Sequence, residues 1–111
     1  MHSRTLNALS GKSLKYVQEE NSNLTYVINW AGLLNADTVS SSTWTTEDTG
    51  LTIAGESNTT KTASARLSGD PGRYRAVNKI VTANGDTQER YIDVTIKDNS
   101  SGYVTDYGMG R

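Results

Sequence analysis

The chain has 111 residues, no cysteine and a formal net charge of -1. This length allows one domain with one hydrophobic core, and the absence of cysteine excludes disulfides, thiolate metal sites and a thiol nucleophile. The balance of 11 basic and 12 acidic residues, with no long Lys/Arg cluster, argues against a nucleic-acid partner.

Apolar and polar residues alternate with a period of two from residue 14 onward, which is typical of β-strands. Turn residues separate the alternating segments at short intervals. The Asn84-Gly85 pair is the strongest hairpin signal, and residues 68–72, which hold the only proline and two glycines, predict a turn. Seven strands are predicted, at residues 14–17, 24–30, 38–46, 51–54, 59–67, 73–83 and 87–97.

Seven short strands separated by turns roughly every 8 to 12 residues fit an all-β fold, an immunoglobulin-like β-sandwich. We place this sandwich at residues 14–98, between an N-terminal arm at 1–13 and a C-terminal arm at 99–111. An eight-stranded variant is an alternative, with the N-terminal segment inserted into the sheet of a neighbouring molecule. The predicted core consists of large residues at inward positions: Trp44, Ile28, Tyr26, Leu67, Tyr74, Ile80, Ile92, Val94 and Ile96.

The two tryptophans have different predicted environments. Trp44 lies in the hydroxyl-rich stretch SSSTWTTED. A single Trp on the third strand of a sandwich more often packs between the sheets than serves as a ligand platform, so we predict a buried Trp44 whose indole N–H needs an acceptor. Trp30 ends the second predicted strand just before Ala31-Gly32, and we expect it half exposed at one end of the sandwich.

An ordered series of short motifs between residues 24 and 97 resembles a known protein family. The residues that carry it are Asp37-Thr38-Val39-Ser40, Ser42-Thr43-Trp44, Gly50-Leu51, Leu67-Ser68-Gly69, Gly72, Tyr74, Asn78, Ile80-Val81-Thr82, Gly85, Arg90, Ile92 and Val94. They resemble small virion proteins of tailed bacteriophages, described as fibre-tail adaptor or head-tail accessory proteins. The chain departs from that pattern at Asp70-Pro71 and at both ends.

The resemblance implies a structural protein of the phage virion that is built on an immunoglobulin-like domain and has no catalytic activity and no cofactor. Its leading form is a tail or collar adaptor that links fibres to the tail. Its partners would be other virion proteins and copies of itself, with assembly in the cytoplasm of the host bacterium. A capsid decoration protein and a carbohydrate-binding module at the bacterial surface, with an aromatic platform formed by Trp30 or Trp44, are the alternatives.

Both ends of the chain are polar and contain Gly and Ser, which predicts arms that are disordered in an isolated domain and lie on a neighbouring subunit. The apolar anchors of such an interface would be Tyr103, Val104, Tyr107 and Met109. The alternative is that the tail folds back over its own domain. The N-terminus lacks the apolar segment of a secretory signal, and no stretch has the roughly 20 apolar residues of a membrane span, so we expect no membrane partner.

Five basic residues are candidates for one docking face. Arg73, Arg75 and Lys79 share an alternation on the sixth predicted strand, and Arg66 and Arg90 are placed on neighbouring strands. A solubilising outer surface is the simpler interpretation. The functional interpretation is a face that docks an acidic partner, where charge sets register and association rate.

The sequence opposes an enzyme. The only histidine is His2, at the N-terminus, where it has no predicted nucleophile or carboxylate beside it. The acidic pairs at 19–20 and 47–48 lie in polar, turn-like sequence, and adjacent residues of a strand point to opposite faces. The turns at 47–48 and 98–99 are too poor in oxygen ligands for calcium, so no metal site is predicted.

Overall fold

The computed structural model describes residues 3–98 of the chain, most of which lie in β-strands. The strands are β1 (Ser3–Asn7), β2 (Ser13–Glu19), β3 (Leu24–Asn29), β4 (Val39–Thr45), β5 (Leu51–Asn58), β6 (Thr62–Gly69), β7 (Gly72–Thr82) and β8 (Thr87–Lys97). A 3-10 helix, Ala8–Ser10, joins β1 to β2, and a single-turn helix α1, Ala31–Leu34, follows β3. No helix among these residues is long and apolar enough to cross a membrane.

The strands form two four-stranded sheets with the orders β1-β3-β6-β5 and β2-β8-β7-β4. Immunoglobulin constant domains place strands A, B, E and D in one sheet and C, F and G in the other. The present order follows that arrangement, with β2 added beside the last strand. The prediction of an all-β sandwich is therefore confirmed.

Residues 3–7 of the predicted N-terminal arm lie in a sheet of their own molecule, which corrects that part of the arm prediction. They form β1, which runs parallel to β3 from the pair Ser3–Thr25 to the pair Asn7–Asn29. The chain then crosses between the sheets through the 3-10 helix. Arg90 fixes this crossing, because its Nε donates to the carbonyl oxygen of the fully buried Ala8 at 2.8 Å.

Side chains from both sheets form one core. It contains eight of the nine residues that the sequence predicts there, and the ninth, Tyr74, is half-buried against it. Tyr74 lies near the start of β7, and its hydroxyl donates to the carbonyl oxygen of Asp70 at 2.7 Å. A tyrosine that bonds back across this turn is the tyrosine corner of immunoglobulin-like folds. It ties the β6–β7 turn to the core.

Trp30 is fully buried, so the expectation that it is half exposed is wrong. Its indole Nε1 donates to Oδ1 of the buried Asn78 at 3.0 Å. The Nδ2 atom of Asn78 donates in turn to Ser42 Oγ at 2.9 Å and to the Thr43 carbonyl oxygen at 3.1 Å. The guanidinium carbon of Arg90 lies 5.4 Å from the Trp30 ring centroid and covers it. One asparagine of β7 thus joins β4 to Trp30, the residue that follows β3.

The opposite end of the core holds a second buried polar group. The Tyr26 hydroxyl donates to Gln18 Oε1 at 2.6 Å, and Gln18 Nε2 donates to the Leu67 carbonyl oxygen at 3.1 Å. Burial is the main cause that raises the pKa of Tyr26.

Trp44 is buried, as the sequence predicts, with 5% of its surface exposed. Its indole N–H has no acceptor among residues 3–98, although a buried donor of this kind normally finds one.

Candidate docking face

The outward side of the β2-β8-β7-β4 sheet carries a mixture of charged and apolar side chains. On β7, Arg73, Arg75 and Lys79 are exposed, whereas Ala76 and Asn78, of opposite alternation, are buried. The residues of β8 that pair with these exposed positions, and the residues of β2 that pair with those of β8 in turn, point to the same side of the sheet. We call this surface the outer face and define it by Lys15, Val17, Arg73, Arg75, Lys79, Tyr91, Asp93 and Thr95.

Two concave regions lie on the outer face. A shallow groove of about 910 Å³ is lined by residues of β2, β7 and β8, among them Val17, Arg73 and Thr95. A smaller recess of about 280 Å³ lies between Thr46 and Tyr91. Arg75 and Asp48 border both of them. Val17 is 53% exposed and contributes apolar surface to the groove, whose contact with water is unfavourable.

Arg75 is held in place at the centre of the outer face. Its Nε lies 2.7 Å from Asp93 Oδ1 and its Nη2 lies 3.0 Å from Asp93 Oδ2, a two-pronged pair. Its guanidinium carbon is 4.4 Å from the Tyr91 ring centroid. Its backbone N–H donates to Asp48 Oδ2 at 2.7 Å. Bidentate and stacked contacts of this kind restrict the guanidinium to one orientation.

The pair also changes acid stability. The hydrogen bond from Arg75 is the main cause that lowers the pKa of Asp93. A carboxyl group with a lowered folded-state pKa adds stability above its unfolded value of about 3.9, and this stability is lost as pH falls through the folded value.

We therefore expect Asp93→Asn to flatten the dependence of unfolding free energy on pH below about pH 5. The variant should lose less stability than the wild-type chain between neutral and acid pH, as measured by urea denaturation at each pH. If the curves of unfolding free energy against pH were parallel for the two proteins, the Arg75–Asp93 pair would not contribute to the loss of stability in acid.

Arg73 and Lys79 have no hydrogen-bond or ion-pair partner for their side chains within residues 3–98. Both are exposed, and each lies two to four positions from the fixed Arg75 on the same strand. Lys15 lies across the groove from Arg73 and acts electrostatically on Asp93. The outer face therefore presents cations that remain available to a carboxylate of another molecule.

The structure corrects the predicted five-residue basic face. Arg66 is exposed on β6, in the other sheet, where it pairs with Thr25 of β3. Arg90 is half-buried over Trp30 and bonds the Ala8 carbonyl. Of the five predicted residues, only the three on β7 share one face, because the face to which a residue belongs depends on the sheet that its strand joins as well as on alternation along the strand.

Asp93 and Tyr91 were missed as members of this face by the sequence analysis. A signal for them exists, because β7 and β8 pair in an unbroken register outward from the Asn84-Gly85 turn. Counting from that turn places Arg75 opposite Asp93. The predicted interface residues Tyr103, Val104, Tyr107 and Met109, and also His2, lie outside the described residues.

The structure also bears on the metal site and the aromatic platform that the sequence analysis considered. Among the residues from Ser3 to Asp98, no group of three or more His, Asp or Glu side chains is close enough to hold a metal ion. Asp48 of the acidic turn caps the backbone of Arg75 instead. Trp30 and Trp44 are both buried, so neither can form the exposed aromatic platform that the carbohydrate-binding alternative requires.

Comparison with known proteins gives one sequence match and several structural ones. A family model described as "Podophage GP4 fiber-tail adaptor protein gp77" matches residues 18–95, which is more than half of the chain and runs from β2 into β8. No curated protein matches the sequence.

Two solved structures illustrate the likeness in fold. The PKD domain from the KIAA 1837 protein has a TM-score of 0.55 at 12% identity, with 86% of this chain and 89% of that chain covered. The cysteine protease inhibitor EhICP2 from Entamoeba histolytica has a TM-score of 0.52 at 6% identity, with 86% and 95% covered. At such identities the similarity shows a shared fold alone.

Proposed function

We propose that this chain, which belongs to the podophage GP4 fibre-tail adaptor family, links other virion proteins to one another and has no catalytic activity. It is a structural component of the phage virion, and its partners are other virion proteins of the tail and the fibre. The match over residues 18–95 carries this conclusion, because it covers almost the whole sandwich.

The outer face is the surface we assign to one of the partners. Arg75 is already oriented by Asp93 and Tyr91, so little side-chain freedom is lost when a partner binds. Arg73 and Lys79 supply cations without partners among residues 3–98, and Val17 supplies exposed apolar area beside the groove. This combination fits a protein surface that presents carboxylates around an apolar side chain.

We further propose that several copies act together, that assembly takes place in the cytoplasm of the host bacterium, and that neither nucleic acid nor membrane is a partner. The near-neutral charge supports the last point, because 11 basic and 12 acidic residues give the chain no overall positive charge that would attract phosphates. The predicted interface role of the four C-terminal residues stays a prediction.

Charge reversal tests the docking face. We expect Arg73→Glu to weaken binding to purified tails that lack fibres and this protein by roughly tenfold or more, because it places a carboxylate against an acidic partner. Co-sedimentation at two salt concentrations measures the loss, and the wild-type affinity should fall as salt rises.

Arg66→Glu is the matched control, since it makes the same change at an exposed arginine on the opposite sheet. It should leave tail binding unchanged. An equal loss for both variants would mean that overall charge, and not the outer face, controls binding. If only Arg66→Glu weakened binding, the other sheet would be the docking surface.

Location in the particle separates the adaptor from the decoration alternative. Immunogold electron microscopy with an antibody against the exposed residues 54–58 of β5 should label the neck or tail. Gold spread over the head would overturn the tail location.

A further inference from the structure

The four edge strands of the sandwich differ in how open they are. β4 has a register shift between Val39 and Ser41, and the side chain of Glu56 accepts from the backbone N–H of Trp44. β5 has a register shift between Ala54 and Ser57, and β1 spans five residues. Bulges and short length are devices that block further pairing. β2 has neither, since its seven residues pair with β8 in continuous register.

Two hydrogen bonds determine which backbone groups of β2 point away from β8. The Lys12 carbonyl oxygen accepts from the Tyr91 N–H, and the Glu20 N–H donates to the Lys97 carbonyl oxygen, both at 2.8 Å. In a parallel ladder, alternate residues of a strand bond the neighbour. The even-numbered residues of β2 therefore bond β8, and Lys15 and Val17 direct their N–H and C=O groups to the free edge.

This edge is long enough to receive a strand, and it exposes one apolar side chain. β2 is the last strand of its sheet within residues 3–98, so the backbone groups of Lys15 and Val17 have no strand to pair with there. The side chain of Val17 is 53% exposed on the same edge. Addition of an extended segment would satisfy the backbone and cover the valine at once.

We propose that residues 102–108 of the same chain pair antiparallel with β2 as an added strand. The segment begins in the right place, because Lys97 at the end of β8 lies directly opposite Glu19 at the end of β2. The chain has to cross only β2, a distance of roughly 10 Å at two strand spacings. The linker Asp98-Asn99-Ser100-Ser101 reaches this far, at about 3.3 Å for each residue, and its composition suits a turn.

The sequences of the two strands are complementary in one register. The opposed residues are Glu19 with Gly102, Val17 with Val104, Lys15 with Asp106, and Ser13 with Gly108. This register pairs the exposed valine with a valine and a lysine with an aspartate, both of which stabilise a cross-strand pair. Tyr103, Thr105 and Tyr107 then share the side of Tyr16, which is half-buried at the rim of the core.

A segment of the same molecule has an advantage over any other occupant of this edge. A linker of only four residues keeps the segment near this edge at a high effective concentration, on the order of millimolar. The added strand would also extend the outer face, since Val104 and Asp106 lie on the side of Val17 and Lys15.

Amide hydrogen exchange on the full chain tests the pairing residue by residue. We expect Val104→Pro, which removes the donor opposite Val17, to speed exchange of the Lys15 and Val17 amides roughly tenfold. Thr105→Pro is the matched control, because the Thr105 N–H would point to solvent, and it should leave these amides slow. The Leu14 and Tyr16 amides face β8 and should exchange slowly in every variant.

A disulfide tests the register and the identity of the donor molecule. The chain has no cysteine, so Val17→Cys with Val104→Cys introduces a single pair, whose Cα atoms would lie about 5.5 Å apart, within the range for a disulfide. The oxidised product should be an intramolecular monomer on non-reducing gels. Val17→Cys with Thr105→Cys places the second thiol on the opposite side and should not close.

Three results would overturn the proposal. One is fast exchange of the Lys15 and Val17 amides in the wild-type chain. Another is equal bridging by both cysteine pairs. The third is a disulfide between two chains, which would assign the β2 edge to the tail of a second copy.

Discussion

Asn78→Ala is expected to lower the free energy of unfolding by about 3 kcal/mol, since it leaves the buried indole N–H of Trp30 without an acceptor and empties the space of a fully buried side chain. The wild-type side chain accepts from Trp30 Nε1 and donates to the Thr43 carbonyl oxygen. The Trp30–Asn78 bond lies in the core, where water cannot replace it without a cavity that admits water. For a domain of this size the melting temperature should fall by about 15 °C, measurable by circular dichroism.

Ser42→Ala is the control for this effect. It removes one acceptor from Asn78 Nδ2 but leaves the Thr43 carbonyl in place, so we expect a loss of about 1 kcal/mol or less. Trp30→Phe and Asn78→Ala should also be non-additive, with a coupling of roughly 1 kcal/mol or more, because each removes the same hydrogen bond. Additive losses would show that Asn78 does not act through Trp30.

Gly69→Ala is expected to destabilise the sandwich by about 3 kcal/mol for a steric reason. A methyl group at this position would overlap the backbone carbonyl oxygen of Gly50 and press against Cδ1 of Ile96. Gly69 pairs with Leu51 at the end of the β5–β6 ladder, the Gly50 carbonyl oxygen accepts from the Asp70 N–H, and Ile96 is buried. The backbone of one strand must therefore move, and chemical denaturation with urea measures the loss.

Ser68→Ala provides the comparison at the neighbouring position of β6. It introduces the same residue where side-chain space already exists, so its effect should be within about 0.5 kcal/mol. Equal stability of the Gly69→Ala and wild-type chains would mean that β5 and β6 separate without loss at this end of the sheet.

β8 is the element for which sequence reasoning succeeds best, with the predicted bounds 87–97 equal to those observed. The Asn84-Gly85 turn sets its start: Gly85 has a φ of 91° and its N–H donates to the Thr82 carbonyl oxygen at 2.9 Å. Unbroken alternation through Ile92 and Val94 then carries the strand to its end. Both signals are local, so one sequence is enough to read them.

β1 and the environment of Trp30 could not be predicted in the same way. The five residues of β1 contain one large apolar side chain, Leu6, which is too little to show a period. Its partner β3 lies about 20 residues away. Trp30 is buried by Asn78 and Arg90, which come from strands far along the chain. Where burial depends on distant partners, local pattern is an insufficient guide.

The candidate face was predicted in part for the same reason. Arg73, Arg75 and Lys79 share one strand, so alternation alone places them together. Arg66 was assigned to the same face although it lies in the other sheet, because alternation does not say which sheet a strand joins. The family resemblance, which rests on motifs from both sheets, predicted the role of the chain better than any single surface.

The parallel pairing of β2 with β8 has a mechanical consequence. A pull that separates the beginning of β2 from the end of β8 slides the two strands along each other, because they run in the same direction. All seven residue pairs from Ser13–Tyr91 to Glu19–Lys97 then resist together, whereas strands pulled apart from one end would open pair by pair. Tension applied between the beginning of β2 and the end of β8 would therefore load the backbone hydrogen bonds of this pair in shear.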